Sequence, residues 1–186
     1  ITPEYIRIGG STYGGVFNGV QQLFRLLPPE VYARKGVAAG TQVACAEIED
    51  APRFAYRGMM LDVARTWIDE SKVKRYIDLF SYHNINKLHL HLSDDEGWRI
   101  EIKSHPELTE IGGFRGGDSP IRPVYGKWSE KYGGYFTQEE MRGLIRYAAE
   151  RNIEIIPEID LPGHSRNIAS VHPEIRCNYP PDTVST

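Results

Sequence analysis

The sequence predicts an α/β protein built on a parallel sheet or barrel. Two observations lead to this prediction: after residue 52 three strand-like segments each precede a helical one, and polar residues follow each of the three strands. Strands and helices that alternate in this way, with right-handed crossovers, form parallel sheets. Functional residues of such folds lie at the carboxyl ends of the strands, so these polar residues are the candidates for a site.

Composition and charge exclude several classes of protein. With 186 residues and 40% hydrophobic content the chain is able to bury a core, and its 22 basic and 25 acidic residues give a formal charge of −3. No run of Lys or Arg has the pattern that tracks phosphates, so nucleic acid is not an expected partner. No stretch approaches the roughly 20 apolar residues of a membrane span.

The chain start and the cysteines leave alternatives open. The stretch 1-ITPEYIRIGG-10 starts with Ile and lacks the basic start and apolar run of a leader, so we expect a mature or excised piece whose targeting signal, if any, is missing. Cys45 and Cys177 fit no metal-ligand spacing, and a disulfide or two free thiols would both agree with the sequence.

Residues 1–52 are the first predicted region. The segment 5-YIRIGG-10 predicts a strand that enters a glycine turn, and 16-VFNGVQQLFRLLP-28 has apolar residues at helical spacing until the Pro pair ends it. The segment 47-EIEDAPRF-54 is typical of a linker. We therefore place a domain boundary near residue 52.

Residues 53–186 contain the alternating pattern. The predicted elements are strands at 54–64, 85–93 and 153–160, helices at 69–84 and 137–152, and a short third helix within 161–175. Thr137 and Glu140 stand at the positions of a capping box. The stretch 103–136 is predicted to be an insertion that is too polar to join the core.

Two histidines lie on one face of the second strand. Period-two alternation in 87-KLHLHL-92 places the leucines on one side and Lys87, His89 and His91 on the other. Two neutral imidazoles at this spacing are able to ligate zinc, which would make the protein a metal-dependent hydrolase. The alternative is a pair of histidines that form hydrogen bonds among polar layers inside a barrel.

Three carboxylates follow that strand. Asp94, Asp95 and Glu96 cannot all point into one pocket, because successive residues that leave a strand diverge and like charges at close range oppose one another. We expect Glu96 to cap the following turn and face water. Asp94 is the first residue past the strand and is the one placed to face the barrel mouth.

Two further candidates stand near the ends of strands. In 158-EIDLPGH-164 a carboxylate, Asp160, lies near an imidazole, His164, which is the arrangement that orients a histidine in acid–base chemistry. A histidine that caps the next helix is the alternative. Arg57 lies inside an apolar strand, where a guanidinium needs a carboxylate or a polyhydroxyl ligand.

The residues that carry a family resemblance are 54–112, with LHLHLSDDEGW and SHPELTEIG, and 133–164, with GGYFTQEEM and EIDLPGH. These stretches resemble the opening of the catalytic barrel of glycoside hydrolase family 20, the β-N-acetylhexosaminidases. The resemblance implies that 53–186 is the first three βα units of a partial TIM (β/α)8 barrel. Residues 1–52 are similar to the end of the small α/β domain that precedes this barrel.

The resemblance also implies roles for single residues. Arg57 would bind the 3- and 4-hydroxyls of a terminal N-acetylhexosamine from the end of the first strand. Asp94 and His164 would belong to a network that supports the catalytic glutamate, and Asp160 would have a supporting role. Where the family usually reads DDQGW this chain reads DDEGW, so Glu96 replaces an amide.

The catalytic Asp-Glu pair of the family, in the motif H-x-G-G-D-E, does not occur in these 186 residues. The resemblance therefore implies a fragment without a catalytic residue of its own, inactive alone, from an exo-acting, retaining enzyme that uses the 2-acetamido group of substrates such as chitobiose as the nucleophile. It implies no cofactor and no metal, and an extracellular, periplasmic or lysosome-like location.

Two alternatives are the His89/His91 metal-dependent hydrolase and a non-catalytic carbohydrate-binding fragment. A zinc requirement would single out the first, and sugar binding without hydrolysis the second. Because three strands of a barrel leave edges open, self-association is a further expectation.

Overall fold

In the computed structural model, which describes residues 1–33 and 40–176, a three-stranded parallel sheet carries helices on one face. The helices are α1 (Tyr13–Leu26), α2 (Glu70–Tyr82), α3 (Glu107–Glu110), α4 (Gln138–Ala149) and α5 (Arg166–Val171). The strands are β1 (Gly58–Asp62), β2 (Lys87–His91), β3 (Ser93–Asp94), β4 (Gly97–Trp98), β5 (Phe114–Arg115), β6 (Tyr132–Gly133) and β7 (Glu154–Glu158). Single 3-10 turns cover Pro29–Tyr32 and Pro173–Ile175.

The two long helices behind the sheet start where side chains bind the free N–H groups of their first turns. The Asp69 carboxylate accepts the N–H of Lys72 at 3.0 Å before α2. Before α4, the Thr137 hydroxyl accepts the N–H of Glu140 at 3.1 Å, and the Glu140 carboxylate accepts the N–H of Thr137 at 2.7 Å. The predicted capping box is therefore confirmed, and both helices lie within their predicted ranges.

The sheet has the order β1-β2-β7, and all of its pairs are parallel. Leu88 and Leu90 of β2 are fully buried and face α2 and α4, which confirms the predicted alternation along this strand. The core between the sheet and the helices consists of Val63, Val73, Ile77, Phe80, Leu88, Leu90, Leu92, Phe136, Leu144, Ala148 and Ile153. The sheet thus has one apolar face, against the helices, and one face that carries polar side chains.

The polar face is arranged in rows across the strands, because residues in register on parallel strands point to the same side. At the carboxyl end the row is Asp62, His91 and Glu158. At the amino end, Lys87 and Glu154 form an ion pair. The row at the carboxyl end and the ion pair at the amino end therefore lie at opposite ends of one face. They are about 13 Å apart, because four residues separate them on strands that rise about 3.3 Å per residue.

Two predictions about local structure are wrong. Residues 5–10 form no strand, since no described strand lies beside them to complete a ladder of hydrogen bonds. The segment 103–136 does contribute to the interior, because Leu108, Ile121 and Phe136 are buried. Its chain folds into α3 and the β5-β6 ribbon, and Phe136 packs against the ring of Trp67 with centroids 4.7 Å apart.

The N-terminal region rests on the ends of the two long helices. The Arg25 guanidinium of α1 donates to the carbonyl of Tyr82 at 3.1 Å, and the Tyr13 hydroxyl donates to the carbonyl of Glu150 at 2.6 Å. Cys45 is exposed, and Cys177 lies outside the described residues. Within 1–33 and 40–176, no helix has the length and apolar character needed to cross a lipid bilayer.

Candidate functional site

A buried carboxylate, Asp94, forms the centre of a polar cluster at the carboxyl edge of the sheet. Only 2% of its surface is exposed. Its Oδ2 lies 2.7 Å from the Arg65 guanidinium and 3.0 Å from Nε2 of His91, and its Oδ1 accepts the N–H of Asp95 at 2.6 Å. The Arg65 guanidinium, the His91 imidazole and one N–H thus compensate for the burial of this carboxylate.

The turn after β1 fixes the position of Arg65. The Asp62 carboxylate accepts the N–H groups of Ala64 and Arg65 at 3.0 and 2.9 Å, and its second oxygen pairs with the Arg65 guanidinium at 2.8 Å. Burial raises the pKa of Asp62, but the bonds from Arg65 outweigh it and hold that pKa below its ordinary value. The same bond to Asp62 raises the pKa of Arg65. The guanidinium is therefore held at the sheet edge with about a third of its surface open.

His91 lies between the carboxylates of Asp94 in β3 and Glu158 in β7. Nδ1 of His91 lies 3.2 Å from Glu158. Glu158 also pairs with His89, which is two residues before His91 on the same face of β2. Burial lowers the pKa of His91, but the hydrogen bond to Asp94 and the negative charges nearby raise it above its ordinary value. Burial raises the pKa of Glu158, and hydrogen bonds from Asp160 and His91 bring it below the ordinary value. Asp94, His91, Glu158 and His89 thus form a series in which each carboxylate lies against an imidazole.

His164 and Asp160 reach the same cluster from the loop after β7. Nδ1 of His164 lies 3.7 Å from Asp94 Oδ1, and 55% of its side chain is exposed. The Asp160 N–H donates to the Ser93 hydroxyl at 3.0 Å, and its carboxylate lies within 4.8 Å of ligand atoms of His91 and Asp94. The structure thus brings together Asp94, His164 and Asp160. Their supporting roles in catalysis stay predictions.

Arg57 lies elsewhere. It precedes β1, and its guanidinium donates to the carbonyls of Asn84 at 2.6 Å and Phe54 at 2.7 Å. The expected position at the carboxyl end of the first strand is therefore wrong, because the strand starts only at Gly58. The five residues of β1, about 16 Å long, separate Arg57 from the cluster, and the arginine at the carboxyl end is Arg65. Main-chain carbonyls bind the Arg57 guanidinium where the sequence led us to expect a carboxylate or a polyhydroxyl ligand.

Glu96 is buried, and the prediction that it faces water is wrong. Only 1% of its surface is exposed. One carboxylate oxygen accepts the N–H groups of Val124 and Tyr125 at 2.6 and 2.8 Å, and the other pairs with the Arg115 guanidinium. The β3-β4 hairpin turns Glu96 away from solvent and toward the insertion, where it holds the loop that carries Tyr125.

A buried arginine, Arg99, joins the insertion to the end of β1. Its guanidinium donates to the carbonyls of Val63 and Ala64 at 2.9 and 2.7 Å, and of Gly113 and Gly134 at 2.5 and 3.0 Å. Burial lowers the pKa of Arg99 to about 10. It stays charged at neutral pH, and it fixes the loop next to Arg65.

Donor groups that could hold a cation exist at this edge, but the charge around them does not favour one. His91, Asp94 and Asp160 form one such group, and Asp94, Asp95 and His164 form another. Both include Asp94, which already pairs with the Arg65 guanidinium, and a second cation there would meet repulsion. His89 belongs to no group of three potential ligands among the described residues, and Glu158 takes up its imidazole.

The cluster presents hydrogen-bond donors of fixed orientation beside a buried carboxylate, an arrangement suited to binding hydroxyl groups and to orienting an acid. Asp62 and Arg65 are among the polar residues at the end of the first predicted strand, and Glu158 is among those at the end of the third, but the sequence alone gives none of the three a specific role. Their position at the carboxyl end of a strand, or within three residues of it, was the signal that could have identified them.

Known proteins match the chain over most of its length. The family described as "Glycosyl hydrolase family 20, catalytic domain" matches residues 54–186. A beta-hexosaminidase of Vibrio furnissii is 47% identical over 169 residues, 91% of this chain and 26% of that protein. A beta-hexosaminidase of Porphyromonas gingivalis is 40% identical over 92% of this chain and 21% of that protein.

Solved structures agree in fold. The crystal structure of a family 20 exo-β-N-acetylglucosaminidase from Vibrio harveyi in complex with N-acetylglucosamine superposes with a TM-score of 0.78 at 46% identity, over 86% of this chain and 24% of that one. A β-N-acetylhexosaminidase from Bacteroides fragilis gives a TM-score of 0.80 at 36% identity, over 96% and 33%. The chain thus spans about a fifth to a third of the length of these relatives. The match over residues 54–186 shows that the chain belongs to glycoside hydrolase family 20.

Proposed function

We propose that the protein is a β-N-acetylhexosaminidase that releases terminal β-linked N-acetylglucosamine or N-acetylgalactosamine with retention, with the substrate's own 2-acetamido oxygen as the nucleophile. The observation that carries the proposal is the buried Asp94 carboxylate, paired with Arg65 and His91 at the carboxyl edge of the sheet. The names of the relatives support the same activity. These 186 residues supply one wall of the sugar pocket, and the family's Asp-Glu pair is not among them.

Arg65 takes the sugar-binding role in this proposal. Its guanidinium is partly exposed, and two carboxylates fix its orientation, so N–H groups that these carboxylates do not use are free to meet adjacent hydroxyls of a sugar ring. Arg65 follows the carboxyl end of β1, and substrates of this fold bind at the carboxyl ends of the strands. Such binding anchors the terminal sugar and adds to substrate affinity.

Asp94 and His164 orient the catalytic acid in this proposal. The Asp94 carboxylate, with 2% exposure, pairs with Arg65 and His91, and the His164 imidazole has one ring nitrogen 3.7 Å from it. The other nitrogen is then free to contact a glutamate supplied by the rest of the barrel. Asp160 would support His91 from the loop after β7.

The experiment compares three variants of the protein that carries this chain, on a chromogenic N-acetyl-β-glucosaminide. Arg65→Lys removes the planar fork and is expected to raise KM at least tenfold. Asp94→Asn is expected to lower kcat by about 10²–10⁴, the range of an acid–base contribution. Arg57→Lys, at the other end of β1, is the matched control and is expected to leave both constants within about twofold. Equal loss in Arg57→Lys and Arg65→Lys would contradict the proposed position of the sugar.

Two measurements separate the alternatives. A β-glucoside that lacks the 2-acetamido group is expected to react at least about a thousandfold more slowly, because it has no internal nucleophile. Activity lost on chelation and restored by zinc would instead favour a metal-dependent hydrolase at His89 and His91. Sugar binding without any hydrolysis by the longer protein would favour a carbohydrate-binding role.

The 186 residues by themselves are expected to show no turnover, because a positioned general acid contributes orders of magnitude to the rate. Near-normal turnover by this chain alone would contradict that. β1 and β7 are the outer strands of the sheet, so we also propose that the isolated chain self-associates through them, which light scattering would detect. A domain boundary near residue 52 and action on glycans outside the cytoplasm are further parts of the proposal.

A further inference from the structure

The same tripeptide, His-Pro-Glu, occurs twice in the chain, and the fold brings the two copies together. The copies are 105-HPE-107, at the start of α3, and 172-HPE-174, after α5. A helical turn follows the histidine in each copy: Pro106 directly precedes α3, and Pro173 is the first residue of the 3-10 turn. In both copies the imidazole Nδ1 lies near the glutamate two residues later, at 3.1 Å in the first and 3.0 Å in the second. The two local conformations are thus alike.

The packing of α5 against α3 sets the copies face to face. The Asn167 amide of α5, buried at 1% exposure, donates to the carbonyl of Gly112 at 2.8 Å, just after α3. Across this contact Nε2 of His172 lies 3.1 Å from Oε1 of Glu107. The rings of His105 and His172 meet edge to face with centroids 5.8 Å apart. The result is a cluster of two imidazoles around one carboxylate oxygen.

Both ring nitrogens of His172 face carboxylates, Glu107 on one side and Glu174 on the other. A neutral imidazole has one N–H and one lone pair, so it is able to donate to only one of them. If Nδ1–H donates to Glu174, the lone pair of Nε2 points at the negative charge of Glu107. A cation between Nε2 and Glu107, whether a proton or a metal ion, removes this repulsion.

We infer that His105, Glu107 and His172 form a binding site for a divalent transition-metal ion of the zinc class. The donor atoms are Nδ1 of His105 and Nε2 of His172, each 3.1 Å from Oε1 of Glu107, and the three residues offer ligand atoms that all lie within 4.8 Å of one another. Zinc binds imidazole nitrogen and carboxylate oxygen at about 2.0–2.2 Å, so tetrahedral ligand atoms lie about 3.3 Å apart. The two observed N–O distances of 3.1 Å need only a small expansion.

Glu174 completes the arrangement as a positioning residue. Carboxylates that accept the second ring N–H of a metal-bound histidine fix its tautomer and orientation. Here Glu174 holds Nδ1 of His172 at 3.0 Å and leaves Nε2 for the metal. The bound ion would join the insertion after β2 to the segment after α5. Water would supply the fourth ligand of the ion, because 57% of the His105 side chain is exposed to solvent. The site shares no residue with the cluster around Asp94.

The test is calorimetric titration of the purified protein that carries this chain with zinc chloride at pH 7.5. The wild type is expected to bind one equivalent of zinc. The variants Glu107→Gln and His172→Ala are expected to bind that equivalent with a dissociation constant at least tenfold higher. Glu174→Gln is expected to weaken binding about 10–100-fold, the range for an outer partner of a metal-bound histidine. His83→Ala, which removes an exposed histidine at the end of α2, is the matched control and should bind as the wild type does.

A second readout guards against variants that fail to fold. Saturating zinc is expected to raise the Tm of the wild type and of His83→Ala, and to leave the Tm of Glu107→Gln unchanged, because an ion that binds only the folded state stabilises it. Full retention of that equivalent by a His105→Ala/His172→Ala double variant would place the ion elsewhere and overturn the inference. So would equal loss of binding in the control.

Discussion

The substitution Glu96→Gln tests whether a buried ion pair holds the loop over the candidate site. The variant keeps the shape of the side chain, and the amide oxygen remains able to accept the N–H groups of Val124 and Tyr125. What it removes is the negative partner of Arg115, whose own side chain is only 7% exposed. The amide NH2 would then face a guanidinium, and neither group is able to accept the other's protons.

The magnitude follows from what Arg115 loses and keeps. It retains a hydrogen bond to the carbonyl of Arg65 at 2.6 Å and the ring of Tyr132 at 4.9 Å. It loses one charge-assisted bond, typically about 1.5–3 kcal/mol, and stays buried beside a neutral group. We therefore expect Glu96→Gln to lower the free energy of unfolding by about 2–3 kcal/mol.

Urea unfolding at pH 7 measures this value, and a double-mutant cycle assigns it. In an Arg115→Met background, Glu96→Gln is expected to cost less than about 1 kcal/mol, because no guanidinium is left unpaired. Glu130→Gln, which removes an exposed partner of Lys127 in the same insertion, is the matched control and should change stability by no more than about 0.5 kcal/mol. A cost of Glu96→Gln that is the same with and without Arg115 would refute the reasoning.

Three further predictions concern the core side of the sheet, the polar row at its carboxyl end and helix α4. Leu90→Ala in β2 removes a fully buried side chain and is expected to lower the free energy of unfolding by about 3 kcal/mol in the same urea assay. His91→Gln is expected to destabilise more at pH 5.5 than at pH 8.5: the bond to Asp94 overcomes burial and raises the pKa of His91, so the stabilisation is complete below the unfolded-state pKa of about 6.5 and is lost as pH rises through the folded-state value. Thr137→Ala is expected to lower the free energy of unfolding by about 1 kcal/mol through loss of the cap on α4, whereas Thr137→Ser should retain most of it.

The helices and strands of the sheet could be predicted because each follows a simple periodicity. The amphipathic pattern at 69–84 corresponds to α2, and the alternation in 85–93 corresponds to β2. The segment 5–10 shows the limit of the same rule, because alternation supplies a strand only where a neighbouring strand is present to pair with it.

The site was predictable only in part. Asp94 and His164 were identified, and they lie together. Arg57 and Arg65 flank the same apolar run, and periodicity does not show at which of its residues the strand begins, so the sequence does not show which arginine lies at the carboxyl end of β1. The burial of Glu96 depends on Arg115, nineteen residues later in the chain, and local sequence carries no sign of that contact.

The four carbonyls that Arg99 binds also set the order in which this region is able to fold. They belong to residues 14 to 36 positions away, on both sides of Arg99 in the sequence. Contacts of such separation require two loops to close first, so the guanidinium is buried late, after β1 and the insertion have met. Loss of Arg99 would therefore be felt in the unfolding rate more than in the folding rate, and this one side chain would lengthen the lifetime of the folded carboxyl edge of the sheet.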